Sequence, residues 1–557
     1  MSASKPQESG KVRIQPSLNK SEEEFVARRR NSVLQNLKKL QIQCSKDEVP
    51  NIALLASGGG QRAMVGLLGS LVQLQKADLL DCVLYLGGVS GSTWCMASLY
   101  QEPDWSTKLE SVKDKIIQRL GGPAVSGRDL FAKLKKYYYG KDFFSLTDIW
   151  AVIVMTTFVK EIDEHTLTEQ WDQQSKDPLP IYQVIDKQGK QSKERDPWFE
   201  ITPHEAGYSL TGAFVDASSF GSQFQKGSKK NKQDEFDMLY LQALCGSALA
   251  DEDEIKKLLL QKIKDLFQQN EKILEEMRKE PHESSQDASA GQRSQPDPNS
   301  ADTDQCYQEL MDLVDMNLSV LNDLSGGRLK TADKKAEELD VKRHTMDACK
   351  KWERINVWPF DTLRSIIECI NKWIWGRNYN FLHNMTDEQK INTALEVPAA
   401  LLQSETRDFA DAGLLLNSPY LSVLRKERNI DLIISLDFSD GDPFMTVKDA
   451  AKMCSDRNIP FPDVIIPSED SEKPKDFYVF KGQNVPTVIH IPLFNVLNCG
   501  DKIEDWSNKY RTFQLPLSAE MITDLMEVAE QNITNNKAKV VEEIRAIIEQ
   551  KKIQTLI

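Results

Sequence analysis

Two apolar runs separated by a helical pattern lie in the first hundred residues of this chain. NIALLA (51–56) and CVLYL (82–86) are continuously apolar, as buried strands are, and VGLLGSLVQLQKADLL (65–80) between them carries apolar residues at helical spacing. A crossover of this length joins parallel strands. The pattern therefore predicts a strand–helix–strand unit over residues 51–86.

The same patterning predicts further elements along the chain. Strand-like apolar runs recur late in the sequence, at IDLIISLDF (430–438) and TVIHIPLF (487–494). Amphipathic or charged helical patterns cover residues 21–43, 252–278, 306–324 and 518–552. Strands and helices that alternate in this way favour an α/β fold.

Two stretches of unusual composition lie in the middle of the chain. Residues 279–305 contain almost no large apolar residue, which predicts a disordered linker. Residues 352–383 hold four tryptophans, Trp352, Trp358, Trp373 and Trp375, which fit either a membrane interface or a packed interior. We favour the interior for at least two of them.

Charge and cysteine usage exclude several classes of function. The formal net charge of the 557 residues is −14, which argues against nucleic-acid binding. The nine cysteines are widely spaced, with no CxxC pair, which indicates reduced, buried thiols and no zinc site. No metal-binding or EF-hand pattern occurs, so we expect neither a metal nor a cofactor.

The candidate chemistry lies in the loops that follow the two apolar runs. SGGGQR (57–62) and GGVSGS (87–92) should lie side by side, because both leave the carboxyl edge of a parallel sheet. Ser90 sits on a tight strand-to-helix turn, and the glycine-rich loop offers backbone N–H groups to a developing oxyanion. Ser92 replaces the final glycine of the usual G-x-S-x-G turn.

The residues alone leave other interpretations open. The glycine-rich loop also fits a phosphate-binding loop, although it lacks the Lys-[Ser/Thr] of a P-loop. A hydrolase needs a base, and His490 lies inside a strand pattern, where a histidine is more often structural. Among the acidic residues, Asp408, Asp411 and Asp437 remain equivalent candidates at this point.

Five motifs in order carry a resemblance to a known family. SGGGQRAM, GGVSGSTW, WFEITPHEAG, DAGLLLNSPY followed by IDLIISLDFS, and PTVIHIPLFN resemble the catalytic domain of the cytosolic (group IV) phospholipases A2. The likeness spans about residues 35–550 and is nearest to the gamma type, which lacks the N-terminal calcium- and lipid-binding domain. It implies a patatin-like fold related to the α/β hydrolases: a central mixed sheet, helices on both faces and an inserted cap.

The resemblance also implies roles for individual residues. Ser90 matches the nucleophile and Asp411 its partner in a dyad without histidine. Gly58, Gly59 and Gly60 match the oxyanion-hole glycines. The basic residues that match substrate phosphate ligands are Arg62 and Arg428.

From this resemblance we expect the following organisation. Residues 1–34 form a disordered or helical tail, residues 35–550 the catalytic domain, and residues 551–557 a C-terminal tail. A cap is inserted at about 200–405 and contains the 279–305 linker.

The expected function is calcium-independent hydrolysis of phospholipids and lysophospholipids, with acyl transfer as a side activity. We expect a cytoplasmic protein in reversible peripheral contact with membranes. Competing hypotheses are a non-catalytic lipid-binding protein that keeps the cleft, an esterase with a Ser90–Asp411–His490 triad, and a nucleotide-binding protein that uses the SGGG loop.

Overall fold

The fold is given by a computed structural model that describes residues 10–191, 196–248, 250–279, 300–326, 331–385 and 397–556. The strands are β1 Arg13–Ile14, β2 Ile52–Ala56, β3 Tyr85–Gly88, β4 Leu179–Asp186, β5 Trp198–Ile201, β6 Glu205–Tyr208, β7 Ala213–Asp216, β8 Gln223–Gln225, β9 Ser228–Asn231, β10 Arg377–Tyr379, β11 Thr406–Asp411, β12 Leu432–Asp437, β13 Tyr478–Phe480 and β14 Thr487–Pro492.

The helices are α1 Lys20–Lys39, α2 Gly60–Lys76, α3 Gly91–Leu99, α4 Leu109–Leu120, α5 Gly127–Gly140, α6 Leu146–Trp150, α7 Thr156–Val159, α8 Leu167–Gln170, α9 Lys187–Gln191, α10 Met238–Cys245, α11 Glu252–Gln269, α12 Glu271–Lys279, α13 Ser300–Gly326, α14 Thr331–Lys351, α15 Phe360–Lys372, α16 Ala400–Gln403, α17 Tyr420–Val423, α18 Met445–Asp456, α19 Val496–Cys499, α20 Ile503–Lys509 and α21 Ala519–Leu556.

The first of two compact units contains a large mixed sheet. This unit comprises the described residues of Met1–Pro123, Phe158–Leu249 and Asn378–Ile557. Its strands follow the order β1-β7-β6-β5-β4-β3-β2-β12-β14-β13, and β11, which carries β10, pairs with β4. The segment from β4 to β14 is parallel and the flanking pairs are antiparallel. The expected mixed α/β class is confirmed.

The predicted strand–helix–strand unit is present as β2–α2–β3. β2 and β3 are parallel neighbours, with Ala53 opposite Tyr85 and Ala56 opposite Gly88. Every residue of β2 is buried, as its unbroken apolar run indicated. β3 begins three residues later than predicted, because Leu80–Cys82 forms a 3₁₀ turn before the strand.

The predicted cap boundaries of about 200 and 405 differ from the structure. The second unit comprises the described residues of Ala124–Thr157 and Ala250–Arg377. Residues 200–248 belong to the first unit, because β5 pairs with β4, and β6 and β7 extend the same sheet. Residues 124–157 join the second unit through contacts such as the edge-on packing of Phe131 against Phe267.

The described residues of both tails belong to the first unit, and the N-terminal tail is largely helical, which is one of the two predicted alternatives. Residues 10–34 contribute β1, which pairs with β7, and most of α1. Arg29 of α1 is buried and donates to the Val83 carbonyl at 2.6 Å, so this segment is part of the first unit. At the other end α21 continues through residues 551–556, and residue 557 lies outside the described residues.

The predicted linker 279–305 is bounded by helices. Residues 280–299 lie outside the described residues. Lys279 ends α12, and residues 300–305 form the first turns of α13. Acidic residues such as Asp302 favour the first turn of a helix, so a composition that indicated a linker is compatible with a helix start.

The second unit is a helical assembly with an aromatic interior. Trp352, Trp358 and Trp375 are each at most 5% exposed, which confirms the interior interpretation for three of the four tryptophans, and Trp373 is partly exposed. The nine cysteines are free thiols, and all except Cys44 are buried. In the described part of the chain, no helix combines the length and apolarity needed to cross a bilayer.

Candidate active site

Ser90 stands on a strained turn between β3 and α3. Its backbone has φ 53° and ψ −126°, a conformation that non-glycine residues rarely adopt. The flanking glycines have no room for side chains: a Cβ on Gly91 would overlap the carbonyl oxygen of Gly60, and one on Gly88 would press on the Met96 sulfur. This is the geometry of a nucleophile on a strand-to-helix elbow.

The two glycine-rich loops lie side by side, as predicted. Gly60 contacts Gly91, and a Cβ on Gly58 would lie 2.8 Å from the Ser90 Cβ. The unusual Ser92 joins the loops, because its hydroxyl donates to the Ser57 carbonyl at 2.6 Å. The serine in place of the usual glycine therefore adds a hydrogen bond between the loop after β2 and the first turn of α3.

The three predicted oxyanion glycines are not equivalent. The Gly58 N–H already donates to the Asn417 carbonyl at 3.1 Å, and the Asn417 side-chain amide donates back to the Gly58 carbonyl at 3.2 Å. This pairing takes Gly58 out of the predicted set of donors. Gly59 is the N-cap of α2 and Gly60 is its first residue. The N–H groups at this end of a helix lack intrahelical acceptors and form the positive end of the helix dipole.

Asp411 reaches Ser90 because β4 extends beyond β3. Gly88, near the end of β3, lies opposite Tyr182, and β4 continues to Asp186. β11 runs back along this extension, antiparallel, until Asp411 lies opposite Val184. The two side chains thus meet over the same stretch of β4, and the Ser90 hydroxyl hydrogen-bonds to the Asp411 carboxylate.

The Asp411 carboxylate is fully buried. Burial raises its pKa to about 6, although hydrogen bonds from the Ala248, Gly413 and Ser247 N–H groups and from Ser90 lower the pKa in part. The donors from Ala248 and Gly413 lie at 2.9 and 2.8 Å. A carboxylate with a pKa near 6 is a competent base at neutral pH.

The sequence interpretation missed the segment that supplies two of these donors. Ser247 and Ala248 follow α10, and Gly246 before them packs so closely on the Trp94 indole that a Cβ there would overlap it. Trp94, on α3, also donates to the Gln242 carbonyl at 3.2 Å. The only signal was a Gly-Ser pair after an apolar helix, some 160 residues from Asp411 in the sequence.

Arg62, a predicted phosphate ligand, is engaged with protein acceptors. It is 2% exposed, its Nε donates to the Phe438 carbonyl at 2.7 Å, and its Nη atoms donate to the Tyr510 carbonyl and the Thr512 hydroxyl. Its guanidinium also borders Gly59, where a Cβ would lie 2.9 Å from Nη2. Arg62 therefore contacts the oxyanion loop at Gly59, and its N–H groups donate to protein acceptors.

Arg428, the second predicted phosphate ligand, lies in a buried ion-pair network. Its guanidinium donates to both carboxylate oxygens of Glu22 and both of Glu200, and to the Ser422 carbonyl. All five N–H donors of the guanidinium have protein acceptors. This arrangement does not favour a contact with substrate phosphate.

The other candidate bases lie elsewhere. His490 on β14 is separated from β3 by β2 and β12, three strand spacings or roughly 14 Å. Its Nε2 donates to the Pro443 carbonyl at 2.7 Å and its Nδ1 faces the Ser435 hydroxyl. Asp437 accepts from Ser439 and Thr446, and the Asp408 N–H donates to the Gln188 side-chain carbonyl.

A serine on a strained elbow, a neighbouring N–H-rich loop and a buried carboxylate define the class of serine-dependent acyl hydrolases with a mixed α/β sheet. A family model of the lysophospholipase catalytic domain matches residues 52–328. Cytosolic phospholipase A2 gamma of Mus musculus is 33% identical over 95% of this chain and 91% of its own length, and that of Homo sapiens is 32% identical over 96% of each. The chain belongs to the cytosolic phospholipase A2 family.

The solved structures agree with this fold. Human GIVD cytosolic phospholipase A2 matches 97% of this chain and 69% of its own, with a TM-score of 0.66 and 21% sequence identity. A second structure of that protein, in complex with methyl gamma-linolenyl fluorophosphonate, matches with a TM-score of 0.63. At this identity the likeness establishes the fold.

Proposed function

We propose that the protein hydrolyses fatty-acyl esters of glycerophospholipids and lysophospholipids through a Ser90–Asp411 dyad. One observation carries this proposal: Asp411 is fully buried, has a pKa of about 6 and accepts the hydrogen bond of the Ser90 hydroxyl. The names of the relatives, cytosolic phospholipases A2, support the same substrate class and a cytosolic location.

The first half of the reaction acylates Ser90. Its Oγ attacks the ester carbonyl carbon while the hydroxyl proton passes to the Asp411 carboxylate. The N–H groups of Gly59 and Gly60 stabilise the oxyanion, each contributing about 3 kcal/mol to the transition state. The tetrahedral intermediate then expels the glycerol oxygen, which takes the proton from Asp411 and leaves as an alcohol.

The second half regenerates the enzyme. Asp411 removes a proton from a water molecule, which attacks the acyl-Ser90 carbonyl; the Ser90 oxygen leaves and recovers the proton from Asp411. An alcohol in place of water would yield acyl transfer. Because nucleophile, base and oxyanion donors all come from the chain, we propose that the reaction needs no calcium, which adding a chelator to the assay tests.

For the two arginines we propose supporting roles. Arg62 fixes the loop that carries Gly59, since its guanidinium borders this residue and holds the Phe438 carbonyl. Arg428 compensates Glu22 and Glu200 in the interior of the first unit. If substitution of Arg62 or Arg428 slows the hydrolysis only of substrates that contain a phosphate, that arginine binds the substrate phosphate instead.

A fluorophosphonate probe and peptide mapping test the proposed nucleophile. We expect the probe to modify Ser90 in the intact protein, and expect Ser90→Ala to lose both labelling and fatty-acid release from phospholipid vesicles. Ser98→Ala is the matched control, because Ser98 is a buried serine of α3 and lies eight residues after the buried Ser90. It should keep both properties.

Two results would overturn the proposal. Release of fatty acid by correctly folded Ser90→Ala would remove Ser90 as the nucleophile. Binding of phospholipid vesicles without labelling or hydrolysis would identify a non-catalytic lipid-binding protein. Stabilisation by nucleotides would instead support the phosphate-loop hypothesis for residues 57–62.

A further inference from the structure

An apolar segment lies exposed next to the oxyanion loop. Residues 511–518, RTFQLPLS, join α20 to α21, and we call them the 511–518 loop. Leu515 is 85% exposed, the highest value among the large hydrophobic residues that are exposed in the described part of the chain. Phe513 and Pro516 are partly exposed, so the apolar tip extends beyond one side chain.

The loop is fastened to the first turn of α2 at both of its ends. The Gln61 side-chain carbonyl accepts from the Leu517 N–H at 2.7 Å, and Leu517 itself is buried. Arg62 donates to the Thr512 hydroxyl at 3.1 Å and to the Tyr510 carbonyl. Gln61 and Arg62 directly follow Gly60, so the exposed tip has a fixed position relative to the oxyanion glycines.

The base of the loop is packed as well as hydrogen-bonded. Tyr510 is fully buried, stacks on Trp506 with ring centroids 5.7 Å apart, and donates its hydroxyl to the Met521 carbonyl at 3.0 Å. Pro516 restricts the backbone beside Leu515. A tip held in this way loses little conformational entropy when it is buried by a partner.

The chemistry of the neighbouring surface indicates the partner. Arg511 is exposed, and its guanidinium donates to the neutral side chain of Asn508 at 3.0 Å, so its charge is not cancelled there. Apolar side chains flanked by a cation suit a phospholipid surface, where the leucine enters the acyl region and the arginine meets phosphate.

We propose that the 511–518 loop is the site at which the protein docks on a phospholipid surface and that this docking presents the surface to the oxyanion loop. The inference rests on the proposed function, because it assigns the place where that reaction meets its substrate. Leu515 provides the apolar anchor, and Gln61 and Arg62 transmit the position of the loop to Gly59 and Gly60.

Leu515→Asp tests this proposal with two substrates. On vesicles of phosphatidylcholine and phosphatidylserine, we expect binding measured by co-sedimentation in a Ser90→Ala background, and hydrolysis measured in the Ser90 protein, to fall roughly tenfold or more. Hydrolysis of a monomeric short-chain ester should stay unchanged. Leu515→Trp should bind the same vesicles more tightly, since tryptophan favours the bilayer interface.

Ile553→Asp is the matched control. Ile553 is 59% exposed and lies near the end of α21. Its neighbour Lys551 pairs with Asp431, which directly precedes β12, so Ile553 lies near the amino ends of the parallel strands and the oxyanion loop follows their carboxyl ends. It should leave vesicle binding intact.

Unchanged vesicle binding and hydrolysis in Leu515→Asp, or equal loss on the monomeric ester, would overturn the loop proposal. A wild-type protein inactive on both substrates would overturn the proposed function instead.

Discussion

Two buried carboxylate sites in the first unit, the pair Glu22 and Glu200 and the single residue Asp411, have opposite electrostatic surroundings. Glu22 and Glu200 share the guanidinium of Arg428, and although burial alone would raise the pKa of Glu22, the arginine charge lowers it to about 2. Asp411 is just as buried, but its partners are N–H groups and the Ser90 hydroxyl, and burial raises its pKa to about 6.

This difference separates a structural carboxylate from a reactive one. An ion pair holds Glu22 ionised down to low pH, whereas Asp411, with a pKa of about 6, can take up a proton near neutral pH, as the proposed dyad requires. Among the described residues Asp411 forms no ion pair with a cation, which suits the role of base that we propose for it.

The largest expected effect is on catalysis at the reactive carboxylate. Asp411→Asn and Ser90→Ala should each lower kcat/KM by roughly 10⁴-fold or more, because nucleophile and base act as a unit. The measurement is fatty-acid release under single-turnover conditions. His490→Gln serves as the comparison and should stay active per folded molecule; a loss equal to that of Asp411→Asn would support the triad.

Removal of the Arg428 charge should destabilise the buried ion-pair network of Glu22 and Glu200. Arg428→Gln removes the cation that bonds to both Glu22 and Glu200 and leaves Arg425, which bonds to Glu200, as the remaining partner; this loss should cost about 3–5 kcal/mol in the free energy of unfolding. Urea denaturation measures this cost. Arg343→Gln is the control, because Arg343 forms an exposed pair with Asp340 and its loss should cost below about 1 kcal/mol. Equal costs for the two variants would contradict the comparison.

The pH dependence of stability should differ in sign between the two groups. The pKa of Asp411 is higher in the folded state, so its contribution to stability is full below about pH 4 and is lost as pH rises through about 6. Relative to wild type, Asp411→Asn should therefore gain about 3 kcal/mol over this interval. For Glu22 the stabilisation is present above pH 4.5 and lost as pH falls towards about 2.

Unfolding free energies of wild type, Asp411→Asn and Glu22→Gln, measured from roughly pH 2 to pH 7, cover both intervals. A parallel pH dependence for wild type and Asp411→Asn would show that the pKa of Asp411 is not raised. The rate of fluorophosphonate labelling should rise over the same interval, because the base must be ionised.

The smallest expected effect concerns Arg62, which belongs to neither group. Arg62→Lys cannot keep contacts to Phe438, Tyr510 and Thr512, and the shifted oxyanion loop should lower kcat by up to roughly 100-fold. The loss should be equal on a monomeric phospholipid and on a phosphate-free ester. A loss confined to the phospholipid would restore the predicted phosphate contact.

The parallel core and the sharp turn at Ser90 were accessible from the sequence because both depend on local patterns. An unbroken apolar run identifies β2, and the glycines around Ser90 indicate the sharp turn. Spacing alone did not select Asp411 over Asp408 and Asp437. That selection required the family resemblance, because the pairing of β11 with β4 joins segments more than 200 residues apart.

The expectations that the structure does not favour concern partners that sequence spacing does not reveal. The Gly58 N–H is taken by Asn417, and the donors of Arg428 by Glu22, some 400 residues away. The strands β5–β7 are short, and their sequences alone do not indicate that they extend the main sheet. Their membership of the sheet follows from the pairing of β5 with β4, which the predicted cap boundary at about 200 does not take into account.

The ion pair between Glu22 and Arg428 has a practical consequence for anyone preparing this protein. A recombinant form that starts at residue 35, the predicted boundary of the catalytic domain, would lack Glu22, Phe25 and Arg29 from the interior. Insoluble expression of such a fragment would then reflect a truncated core. Expression should begin before β1, and affinity tags at that end need a spacer that leaves α1 free to dock.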